Sequence, residues 1–182
     1  MSERIGLALP MGFCGLAMAS VLLAAQHLGW VPKEETHTIA LAILVSVVPL
    51  QAVAAIFSIV SRQTVNATAS AVLSSTWAGE AVVALGSPPG STSDPLGIFL
   101  LAASGALFVP VIAGLANHLG PSAVPGLAAV SFVLTGLYQL TAASLPRHAS
   151  GVVELCVAAL ALYVALGLTL EESRGRRVLP LT

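Results

Sequence analysis

Charge is scarce in this chain. Of its 182 residues 8% are charged and 57% are hydrophobic, fractions far outside those of soluble globular domains, which place the chain in a membrane. A net charge of −1 offers no electrostatic footprint for nucleic acid or for any strongly charged macromolecule. Cysteine is equally sparse. Cys14 and Cys156 lie within apolar runs and lack CxxC spacing, so both are expected to be buried, inert packing residues. Catalytic signatures are missing as well. There is no GxSG on a helix and no histidine in the sixth span, both of which a rhomboid-type intramembrane protease would need, and no HExxH or Gly-rich phosphate loop. His27, His37, His118 and His148 fall at helix ends or in loops without ligand spacing, which suits interfacial or solvated roles better than metal binding. The expectation is a protein that is not an enzyme and holds neither metal nor cofactor.

What the chain has in abundance is long apolar stretches. An α-helix rises about 1.5 Å per residue, so a hydrocarbon core of about 30 Å takes roughly 20 residues to cross. Six stretches meet that length: 5–26, 37–60, 66–86, 96–116, 122–143 and 151–170. They are read as helices because a lipid-embedded segment must satisfy its backbone polar groups internally. The connections GWVPKEET, SRQT, GSPPGSTSDP, NHLGPS and SLPRHAS are short and carry breakers. The fold class expected is therefore an all-α integral membrane protein, one six-helix transmembrane domain over 1–182 with a tail at 171–182. Arg4 ahead of an apolar run resembles a signal peptide, but that run continues to Ala25 and five like it follow, so it is expected to be retained. With the amino terminus in the cytoplasm, Arg4, Arg62, Arg174, Arg176 and Arg177 lie inside and Lys33 and Arg147 outside. Five against two favours cytoplasmic termini in a multi-pass cell-membrane protein, with the tail arginines at anionic lipid.

Small residues such as Gly12, Gly15, Ala19, Gly105 and Gly114 let helices approach closely. Pro10, Pro49 and Pro110 fall within spans, and each removes a backbone hydrogen bond that something else must replace. The third stretch is the most polar. At 100° per residue, Asn66, Ser70, Leu73, Ser74, Trp77 and Glu80 share a face about 120° wide. Thr68 and Ser75 lie opposite, which suggests a helix enclosed by protein. Glu80 stands about 21 Å above Asn66. A charged carboxylate at such depth costs on the order of 3 kcal/mol, so it is expected to face the bundle interior or a wet cavity, or to be neutralised. It is then either a proton-binding group beside a permeation path or a protonated side chain tying helices together. Gln51 sits mid-span and could likewise line a pore or join helices. Glu154 is placed in the first turn of the sixth helix after Ser150, where the helix dipole and interfacial water stabilise a carboxylate. No Lys or Arg lies within a span, which predicts weak anion binding or passage of the neutral acid.

Taken in order, these stretches resemble the acetate uptake transporter family, which includes the succinate-acetate permeases. The tail ALYVALGLTLEESRGRRVLP is similar to that family's last helix and closing segment. LALPMGFCGLAMASVLLAAQHLGW resembles its opening motif and Gly-rich first helix, keeping Pro10 and Gly12, and PLQAVAAIFSIVSRQTVNATASAVLSSTW its second and third helices. The resemblance implies a six-helix bundle with cytoplasmic termini, proton-coupled movement of small monocarboxylates such as acetate, and a hexameric ring with a pathway through each subunit. It also implies a hydrophobic constriction at Leu16, Leu73 and Leu134, in place of the family's Phe, Tyr and Leu. Departures are present: Leu7 and Ala8 replace Asn and Pro of the opening motif, Ser58 and Leu168 replace acidic residues, and Glu80 replaces an apolar one. Glu80 is accordingly a candidate relocated proton-coupling group. A pore for a neutral solute or ammonium, and a membrane accessory or sensory subunit that has lost transport, are the alternatives.

Overall fold

The computed structural model describes residues 8–115, 119–176 and 178–181; Arg4, Leu7, His118 and Arg177 lie outside them. Six long helical segments follow one another: α1 (Ala8–His27), α2 (Lys33–Val60), α3 (Thr64–Gly86), α4 (Asp94–Leu115), α5 (Leu119–Thr141) and α6 (Ser144–Arg174). No strand occurs among the described residues. Each helix packs on its neighbours in sequence, and α6 returns along α1. The result is a closed ring of six helices, an all-α membrane bundle.

Proline shapes α2. Pro49 lacks an N–H and its ring crowds the carbonyl four residues back. The helix responds with a π turn over Ile43–Val47, just before the α-helical Val48–Val60, and Ser46 Oγ donates to the Ala42 carbonyl there. Such wider turns relieve the clash without ending the helix. Small residues set the closest crossing. On α4 and α5, a Cβ added at Gly97 would lie 2.9 Å from the Gly136 carbonyl oxygen, and one at Gly136 would lie 3.0 Å from that of Gly97. Gly→Ala in an open helix gains about 1 kcal/mol from backbone entropy, but overpacking costs about 1–3 kcal/mol. Gly97→Ala is therefore expected to lower the thermal midpoint in detergent. Gly105→Ala, where a Cβ meets nothing within 4 Å, is expected to raise it.

Several expectations are corrected. α6 begins at Ser144, seven residues before the expected start at 151, because Pro146 falls in the first turn, where its missing N–H has no intrahelical partner to lose. Glu154 is thus about 15 Å along the helix, not in its first turn. Cys14 and Cys156 are exposed; in a membrane protein an apolar run faces lipid as readily as protein. Among the described residues five helices are long and apolar enough to cross a membrane, and α3 is not one of them. At 23 residues it is long enough, and its hydroxyls and Glu80 are what distinguish it. Within a single chain α3 is not fully enclosed: Thr64, Ala71, Ser75 and Val82 form an exposed stripe.

Candidate functional site

Two cavities lie along the interior of the ring. The lower, about 460 Å³, is reached by residues from all six helices, among them Gly12 and Leu16 of α1, Gln51 of α2, Asn66, Ser70 and Leu73 of α3, Pro110 of α4, Pro125 of α5 and Leu168 of α6. The upper, about 60 Å³, is lined at the other end of the bundle by His27, Thr36, Trp77, Glu80, Tyr138 and Gln139 from α1, α2, α3 and α5, with the α3–α4 loop beside them. That volume holds a few water molecules. Leu16 and Leu73 are buried in the lower lining and Trp77 in the upper. Leu73 and Trp77 are one turn apart on α3, so about 6 Å of helix axis separates the two cavities. On α5, Phe132 packs edge-on to Trp77, ring centroids 6.5 Å apart. The constriction between the cavities is thus a thin aliphatic and aromatic plug.

The sequence-derived positions divide cleanly. Gly12, Leu16, Gln51, Asn66, Ser70 and Leu73 border the lower cavity, and Trp77 and Glu80 the upper. Pro10 is buried in α1. Ser74 lines neither cavity; its hydroxyl donates to the Val48 carbonyl at 3.1 Å, tying α3 to α2. Leu134 also lies outside both cavities and is half-buried. Two residues away on the helix, about 200° round, Phe132 holds the interior position instead.

Polar atoms inside the ring are unevenly satisfied. Gln51 Nε2 donates to the Gly12 carbonyl at 2.6 Å, while its Oε1 has no partner, and neither has the indole Nε1 of Trp77 or the hydroxyl of Ser58. Buried groups of this kind are costly unless something fills the valence. Among the described residues none lining the lower cavity is basic.

Beside the upper cavity lies a buried histidine–carboxylate pair that the sequence did not reveal. His27 Nδ1 lies 3.1 and 3.0 Å from the two carboxylate oxygens of Glu154, and both residues are nearly inaccessible. Ser131 Oγ and Ser150 Oγ donate to Glu154 Oε1 at 3.1 and 3.0 Å, and Thr135 Oγ1 lies 2.6 Å from Ser150 Oγ. The close approach is possible because α6 carries Gly151 where a Cβ would come 3.2 Å from that of His27. His27 also meets Tyr138 edge-on at 6.1 Å, and Arg147 lies over the same tyrosine ring. Glu80 lines the same cavity within electrostatic reach of His27 and Glu154. His27 was read as an interfacial residue and Glu154 as a wet one; both are buried. His37 bonds the Ser87 carbonyl at 2.9 Å, and His148 stays exposed.

No protein-family model and no curated protein matches the chain. A solved structure of the bacterial acetate channel SatP does, with a TM-score of 0.86 and 22% identity, over 97% of this chain and 98% of that one. The chain shares that channel's fold. The agreement covers the helical bundle from end to end, at an identity that speaks for the fold and not for its cargo.

Proposed function

We propose that the chain is a multi-pass permease or channel for acetate or a related small monocarboxylate, which crosses the plug as the neutral acid. The observation that carries this reading is the pair of cavities on the ring's axis, reaching the same thin constriction from opposite ends. Likeness to the fold of an acetate channel supports it. The chemistry of the lower cavity suits a neutral acid better than its anion. The described residues of its lining offer a carboxylate no counter-charge, whereas Gln51 Oε1 is an acceptor in need of a donor, which an acid O–H supplies and a carboxylate cannot.

The lower end, which carries Arg62 and the tail arginines, is the cytoplasmic one in this reading. A homo-oligomer, a hexamer by family resemblance, is part of it as well: the exposed stripe on α3 includes Thr64 and Ser75, which a neighbouring subunit covers at less cost than lipid does. Glu80 is the proposed proton-coupling group, being a carboxyl that lines the upper cavity. Uptake of labelled acetate into proteoliposomes, with and without a pH gradient, tests that role. Glu80→Gln is expected to lose the stimulation by the gradient, and an unchanged response removes Glu80 from coupling. The missing basic lining equally favours a neutral-solute pore. Acetate, propionate and succinate are expected to compete with labelled acetate; indifference to all three, with passage of a neutral solute, would replace the acid reading.

A further inference from the structure

Among the described residues, the titratable groups that border the two cavities sit at the upper end. No described residue lining the lower cavity is titratable, while the upper cavity brings together His27 and Glu80, with Glu154 paired to His27. An acid that must be neutral to pass the plug therefore meets groups to exchange a proton with on the upper side. Because Glu154 Oε1 already accepts from two serines, its contact with His27 uses Nδ1–H as donor, and the opposite ring nitrogen, Nε2, has no hydrogen-bond partner among the described residues. One orienting carboxylate behind a histidine, with the far nitrogen left open, is the arrangement that general acid chemistry needs. A second feature points to a carboxylate in the same place. Trp77 borders this cavity, is 2% exposed, and its indole N–H lacks an acceptor.

We propose that the upper cavity is where an incoming carboxylate receives its proton: His27 donates it from Nε2, Glu154 is the positioning residue that holds the ring, and Trp77 Nε1–H holds a carboxylate oxygen. This rests on reading the chain as a permease for small carboxylic acids. In the transfer the Nε2–H bond of the imidazolium breaks and an O–H bond forms on the substrate. Imidazole remains neutral with Nδ1–H still on Glu154, and water at the upper mouth returns the proton. The neutral acid then leaves the indole for the plug. Around His27 the groups that share this proton field are Glu154 and Arg147 from α6, Glu80 from α3, Tyr138 from α5 and, on α2, His37 held by the Ser87 carbonyl.

The readout is how uptake depends on pH at the upper mouth. Between about pH 5.5 and about pH 7.5 the neutral fraction of a simple carboxylic acid in bulk water falls roughly a hundredfold. Initial rates of labelled acetate uptake, corrected with protein-free vesicles, are expected to fall less than about tenfold over that interval for the wild type, since the protein supplies the proton. For His27→Asn and Glu154→Gln the fall is expected to approach the hundredfold drop of the neutral acid in bulk. His148→Gln, at an exposed histidine that does not line the cavity, is expected to follow the wild type. Profiles of His27→Asn or Glu154→Gln parallel to the wild type, or a wild type that itself tracks bulk acid, overturn the proposal. A wild type without acetate flux at either pH overturns the transport reading itself. Should the variants fail to fold, the intact site answers directly: the chain has two tryptophans, so Trp30→Phe leaves Trp77 alone. Its ¹⁵N indole signal is expected to shift saturably with acetate, and an unmoved signal in a transporting protein rules out the site.

Discussion

Leu16→Ala combined with Leu73→Ala is expected to raise acetate flux about tenfold or more and to admit acids too large for the wild type. The two side chains are buried at the roof of a cavity of about 460 Å³, and only about 6 Å of helix separates Leu73 from Trp77 beyond it. A narrow passage lined by aliphatic carbon excludes water, so the barrier there is mostly the loss of hydration of whatever crosses. Removing six side-chain carbons widens it and lets water in, and each 1.4 kcal/mol taken off the barrier is a tenfold gain in rate. The expense in stability is moderate, because these leucines already border open space and their truncation enlarges a cavity more than it creates one. Initial rates for acetate, propionate and butyrate, with a potential-sensitive dye to detect ion leak, check the result. If the double variant transports at wild-type rate with wild-type selectivity, the constriction lies elsewhere.

Glu154→Leu is expected to destabilise the bundle by about 3–5 kcal/mol, the typical cost of leaving one member of a buried charged pair without the other. Three donors converge on this carboxylate, from His27, Ser131 and Ser150, and all lose their acceptor at once. His27→Leu together with Glu154→Leu removes both charges and is expected to recover a large part of that loss, since an apolar pair of similar size often replaces a buried ion pair without penalty. Unfolding in detergent, followed for the two single variants and the double, measures the coupling. Additive losses would show that the pair contributes nothing as a pair. The same double variant is expected to be stable and yet to show the steep pH profile of His27→Asn, which separates what the pair does for the fold from what it does for the proton.

The bundle was legible in the sequence because membrane spans are written in long apolar runs, and six such runs joined by short breaker-rich loops leave little freedom. The stripe on α3 was legible too, because a 3.6-residue period shows which side chains share a face; Asn66, Ser70, Leu73, Trp77 and Glu80 all border one cavity or the other. Ser74 shows the limit of that reasoning, since sharing a face with cavity residues does not prevent a serine from bonding the neighbouring helix. Leu134 shows another limit. Placing it depended on register carried over from a resemblance, and the residue that meets Trp77 is Phe132. The ion pair between His27 and Glu154 was missed for a single reason. SLPRHAS reads as a loop, yet a proline in the first turn leaves a helix intact, and seven extra residues at the start of α6 carry Glu154 from the interface to the buried end of α1. A carboxyl that far inside needs a partner, and a histidine at the end of α1 was the residue to look for.

The most direct measurement is counterflow of labelled acetate on the purified chain reconstituted alone, compared before and after a bulky thiol reagent is attached at Ser70→Cys in a protein whose Cys14 and Cys156 are replaced by serine. Ser70 borders the lower cavity, whereas the native cysteines lie on the exposed surface. The expected result is saturable exchange well above that of protein-free vesicles, lost once the reagent occupies the cavity. Exchange no faster than bare lipid, or exchange indifferent to a filled cavity, would contradict a pathway running through the middle of the ring.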